Sequence, residues 1–80
     1  MRVRWTPLAF ARLRAIVERI AQDNPTAAVA FAGEVLDRAR RLELFPYMGR
    51  AGRDPDTREL IVHRNYLITY SVFAEQVTVL

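Results

Sequence analysis

The residues of this chain best placed to do chemistry lie in one stretch, where Arg50, Arg53 and Arg58 precede Tyr66 and Tyr70. Arginine forks near a phosphodiester would offset the charge of a pentavalent intermediate. Guanidinium and phenol planes also stack on bases, so the set suits RNA. Arg50 and Arg53 lie within the loop PYMGRAGRDPDT and Arg58 follows it at the entry to the next strand, where it could converge with the exposed strand face if that loop packs beside the sheet. A purely structural explanation stands beside this one. Arg50 and Arg53 have Asp54, Asp56 and Glu59 as nearby counter-charges, which would make the loop an almost neutral, solvated turn. Tyr66 and Tyr70 alternate with Ile68 and Val72, as residues of a core face do.

Other chemistries find little support. His63 is the only histidine and falls at the end of a predicted strand, where an imidazole is ordinarily solvated. Neither a Ser-His-Asp arrangement nor a metal-ligand set can be built from it. GRAGR precedes a strand rather than a helix, so it is no phosphate-cradling loop. The lack of cysteine removes disulfides, thiolate metal sites and a Cys nucleophile. Neither a cofactor nor a small-molecule ligand is expected.

The positioning elements must come from 80 residues, enough for a single domain over 1–80 with a thin core. At 51% hydrophobic content the chain is expected to fold. The formal charge is +3, and all 12 basic residues are arginine. This is suited to an anionic partner, nucleic acid or acidic protein, although codon bias in a GC-rich genome explains a lysine deficit equally well. No apolar run reaches the ~18 residues of a membrane span and the N-terminus lacks a signal-peptide core, so a cytoplasmic location is expected.

Period-2 alternation over Val3–Trp5 predicts a strand with Arg2 and Arg4 on its other face. Thr6-Pro7 starts a helix running to Asp23, with Ala9, Leu13, Ile16, Val17 and Ile20 as its apolar stripe. Asn24-Pro25 ends it and opens a second helix to near Phe45, with Ala28, Phe31, Ala32, Val35, Ala39 and Leu42 inward. So short a connection requires an antiparallel αα-hairpin. Residues 46–57 read as loop, followed by strands at Glu59–His63, Tyr66–Phe73 and Val77–Leu80. Short turns join them at Arg64-Asn65 and Ala74-Glu75. The predicted class is α+β, in the order β-α-α-β-β-β, with the N-terminal strand and αα-hairpin packed on a small antiparallel sheet.

This order resembles the RelE/ParE toxin superfamily of bacterial type II toxin–antitoxin systems. The stretch FPYMGRAGRDPDTRELIVHRNYLITY carries the likeness, through its Phe-Pro helix exit, Gly49-Arg50, Thr57-Arg58-Glu59-Leu60 and a Tyr-rich strand. DNPTAAVAFAGEVLDRARRLELFP is similar to the family's second helix. The resemblance implies a toxin held inactive by a cognate antitoxin whose C-terminal segment wraps it. ParE-like members poison DNA gyrase, whereas RelE-like members cleave messenger RNA in the ribosome. The absence of a dense Lys/Arg cluster and of an acid–base pair points to gyrase inhibition without enzymatic activity. In the RelE-like alternative the catalytic residues would be Arg50, Arg53, Arg58 and Tyr70. Members usually continue beyond the last strand into a basic tail, while this sequence stops at Leu80. A third expectation is therefore a shortened, inactive toxin that only binds its antitoxin.

Overall fold

Two helices follow each other without a loop because one residue serves both. The computed structural model describes residues 1–63 and 65–80. It contains β1 (Arg2–Trp5), α1 (Pro7–Asp23), α2 (Pro25–Arg41), β2 (Arg50–Ala51), β3 (Arg58–His63), β4 (Tyr66–Phe73) and β5 (Gln76–Val79). Thr6 is extended, and its hydroxyl accepts the Ala9 N–H at 3.1 Å to cap α1. Asn24 then closes α1 by donating its N–H to the Ile20 carbonyl at 2.9 Å. Its side-chain oxygen simultaneously accepts from Ala27 N at 3.0 Å and starts α2. Proline at the first position of each helix forfeits no hydrogen bond.

The sheet has the order β1-β5-β4-β3-β2. From β5 to β2 it is antiparallel, as the alternation implied, but β1 joins β5 in parallel. The helical hairpin carries the chain away from β1, so no tight turn dictates that strand's direction. Register places Val3, Trp5, Val77, Val79, Ile68, Tyr70, Leu60 and Val62 on one face. There they meet Phe31, Val35, Ala39 and Leu42 of the α2 side in a single core. Arg2, Arg4, Thr78, Ser71, Thr69 and Glu59 lie on the opposite face. Among the described residues, no helix is long and apolar enough to cross a membrane.

Several boundaries differ from expectation: β1 begins at Arg2 and not Val3, and β5 runs from Gln76 to Val79 and not from Val77 to Leu80. α2 stops at Arg41 and not near Phe45, because Leu42 donates to Ala39 O in a tighter turn that drives its side chain wholly into the core. Within the expected loop, Arg50 and Ala51 pair with Glu59 and Arg58 and add a fifth strand. β3 begins one residue early, at Arg58. The Ala74-Glu75 turn has both residues left-handed, φ 50° and 59°, which is the hairpin geometry usually given to Asn-Gly. The expected Arg64-Asn65 turn includes Arg64, which lies outside the described residues.

Candidate functional site

Arg50, Arg58 and Tyr70 of the Arg–Tyr set meet around the loop between α2 and β3, where each has a local partner. Tyr70 is fully buried on the core face of β4, and its hydroxyl accepts the Gly49 N–H at 2.9 Å. Arg58, on the same face of β3, donates one nitrogen to the Tyr47 carbonyl at 3.1 Å and the Gly49 carbonyl at 2.8 Å. Its guanidinium lies 5.0 Å from the centre of the Tyr47 ring, close enough for a cation–π contact. Arg58 thereby fastens the loop to the sheet.

Arg50 lies across the sheet, with Nε 3.1 Å from Glu59 Oε1. Glu59 is only 9% exposed, and its other oxygen accepts the Arg53 backbone N–H at 3.4 Å. One buried carboxylate therefore holds a guanidinium and a loop amide, which compensates its desolvation. The Arg53 side chain and most of the Arg50 side chain face solvent. Tyr66 stacks edge-on against Phe31, with ring centres 4.9 Å apart, within the hydrophobic layer. His63 is exposed at the end of β3. The chain thus brings Arg58 and Tyr70 together beneath the loop and Arg50 with Glu59 on the opposite face. Tyr47 was not singled out from sequence, because nothing in PYMG marks it as a stacking partner for Arg58.

A second site opens where α1 stands on the sheet. The α2 stripe is buried at Ala28, Phe31, Val35 and Ala39, whereas α1 buries only Ala9. Leu13, Ile16, Val17 and Ile20 pack against the core while remaining partly exposed. The incomplete closure leaves a groove of about 190 Å³ between α1 and strands β4 and β5. Trp5, Leu13, Ile16, Leu67 and Leu80 supply much of its apolar wall, and Arg12 and Thr69 add polar groups. Trp5 also meets Phe10 edge-on, with ring centres 6.1 Å apart, so the apolar surface continues onto α1, where Phe10 is 55% exposed. Such a groove can accept an amphipathic helix or extended segment. The two-, three- and four-residue periodicities identify which residues face inward, but they carry no measure of how far α1 lies from the sheet.

Comparison with known proteins agrees with this architecture. A protein of Sinorhizobium fredii described as "Putative toxin Y4kP" is 36% identical over 72 residues, spanning 89% of this chain and 75% of that protein. A structure described as a chromosomal ParDE TA system from P. aeruginosa superposes with a TM-score of 0.88 at 22% identity, covering 99% of this chain and 89% of the other. The latter establishes a shared fold. The family model for the ParE toxin of the type II toxin–antitoxin system parDE matches residues 3–80. The chain belongs to the ParE toxin family of type II toxin–antitoxin systems.

Proposed function

We propose that this toxin arrests growth by binding DNA gyrase, and that a cognate antitoxin neutralises it by laying an apolar segment into the groove beside α1. The choice of a binding toxin over a nuclease is carried by the commitment of Arg58 and Tyr70 to internal partners. A phenol enclosed on all sides and bonded to Gly49 cannot reach a ribose hydroxyl, and an arginine gripping two loop carbonyls acts as a brace. General acid–base work requires groups within hydrogen-bond reach of the substrate. A supercoiling assay with purified gyrase tests the reading: inhibition should appear with the toxin alone and vanish on adding antitoxin. Normal supercoiling at a large excess of folded toxin would exclude it.

The groove supports the antitoxin half of the proposal. A segment covering ~800 Å² of apolar surface would gain ~20 kcal/mol before the costs of association. For a small domain with an incompletely sealed helix, this is large. Exposed Arg50 and Arg53 favour a second reading, a RelE-like ribonuclease in which these two approach a phosphate. Cleavage of messenger RNA on ribosomes by the purified chain, lost in Arg53→Ala with folding unchanged, would establish that reading instead.

A further inference from the structure

The segment from Leu44 to Met48 displays large apolar side chains from a backbone held in place at several points. Leu44 is 79% exposed, Phe45 61% and Tyr47 59%. Phe45 N–H donates to Arg41 O at 3.0 Å, and Met48 N–H to Phe45 O at 3.2 Å. Arg58 holds the Tyr47 and Gly49 carbonyls, and the Met1 ammonium donates to Glu43 O at 2.7 Å. Single exposed apolar residues are ordinary, but consecutive ones on an ordered backbone form a protein-binding patch. The pinned backbone reduces the ordering cost of association, and aromatic and Met side chains are those enriched at interface centres.

The surrounding charge selects the partner. Arg41 is neutralised by Asp37 at 3.3 Å, but Arg40 is exposed, the Met1 ammonium meets only a carbonyl, and Arg58 likewise faces carbonyls and a ring. Glu43 lies within the segment's border and Asp56 lines a hollow with Tyr47 and Arg58, so Arg40, the Met1 ammonium and Arg58 outnumber the two carboxylates by one. Leu44 and Met48 offer no plane on which a base could stack, which favours a protein over a nucleic acid. We propose that Leu44–Met48 is the surface by which the toxin grips its target, and that the target presents an apolar pocket rimmed by carboxylates. This rests on the toxin reading above and assigns the target a surface separate from the α1 groove.

The test uses the full chain and the variants Leu44→Ser/Phe45→Ala and Arg40→Glu, with circular dichroism and melting confirming the fold. Induced alone, the unsubstituted chain arrests growth, and the double variant accumulates without arrest. Its affinity for the antitoxin encoded beside it stays the same, because the groove is untouched. With purified gyrase as the probe, inhibition weakens about thirty-fold in the double variant, the scale of losing an interface anchor. Arg40→Glu weakens inhibition chiefly at low salt. Continued arrest by the folded double variant overturns the proposal. So does loss of antitoxin binding, which would hand the patch to the antitoxin, or self-association of the chain that the variant abolishes. An unsubstituted chain that leaves growth unaffected also removes it. If growth stops while gyrase still supercoils normally, the gyrase reading falls and the growth comparison alone decides the patch.

Discussion

Replacing Gly49 by alanine should be among the most damaging single-methyl additions this chain can receive. A Cβ built there would sit 2.7 Å from the Tyr70 hydroxyl, 2.9 Å from the Glu59 carbonyl oxygen and 2.9 Å from Tyr70 Cε1. None of these can yield freely, since Tyr70 is wholly buried and Glu59 O belongs to the strand backbone. Overpacking of this kind costs about 1–3 kcal/mol. Pushing the phenol aside also weakens its bond to the buried Gly49 N–H, worth about 1 kcal/mol. A loss of about 3 kcal/mol is a large share of the roughly 4–12 kcal/mol available to a chain of 80 residues. With a urea slope near 1 kcal/mol per molar, the unfolding midpoint should fall by about 3 M. The melting temperature should drop by more than ~10 °C. Gly33→Ala supplies the opposite control, because its added methyl meets nothing within 4 Å and α2 gains about 1 kcal/mol. In the double variant Gly49→Ala/Tyr70→Phe, removing the hydroxyl relieves the nearest contact, so the two losses should sum to less than their separate values. A Gly49→Ala protein within 0.5 kcal/mol of the parent, or strictly additive losses, would refute the Gly49–Tyr70 argument.

Arg58→Ala should destabilise by about 2 kcal/mol, through loss of charged hydrogen bonds to two carbonyls, and should speed limited proteolysis within residues 46–57. Unchanged cleavage would show that the loop does not depend on this brace. Asn-Gly in place of Ala74-Glu75 should raise the melting temperature by roughly 4–8 °C, because both positions are left-handed and now carry side chains that resist that geometry. No rise on thermal melting would argue against the turn assignment. Leu13→Arg should abolish antitoxin binding in isothermal titration while leaving the fold intact, since Leu13 lines the groove and remains partly exposed. Wild-type affinity would move the antitoxin elsewhere.

The elements of this fold were legible wherever a local rule governs them. Thr6-Pro7 and Asn24-Pro25 mark both helix starts, and period-2 alternation gives β4 from Tyr66 to Phe73 without error. What the sequence could not supply depends on distant partners. Leu42 leaves the helix because the core draws it in, and Arg50-Ala51 becomes a strand because Glu59 and Arg58 come alongside. Charge counting set Asp54, Asp56 and Glu59 together against Arg50 and Arg53 without choosing among them, whereas the fold gives Glu59 the Arg50 guanidinium and the Arg53 backbone amide. No local pattern distinguishes an arginine that braces a loop from one that awaits a phosphate.

That ambiguity has a physical origin in the two surroundings open to an arginine at this place in the fold. An arginine at the first position of β3 has the loop carbonyls of Tyr47 and Gly49 on one side and solvent on the other. Here Gly49 passes so close to Tyr70 that its carbonyl falls within reach, and the guanidinium turns inward. The inward turn holds the Tyr47 carbonyl, and the Phe45 N–H is bonded to Arg41 O, so the backbone is tied at both residues whose rings face solvent. The guanidinium that turns to the loop carbonyls helps order the stretch beside it, which is what the proposed target-binding role of Leu44–Met48 requires.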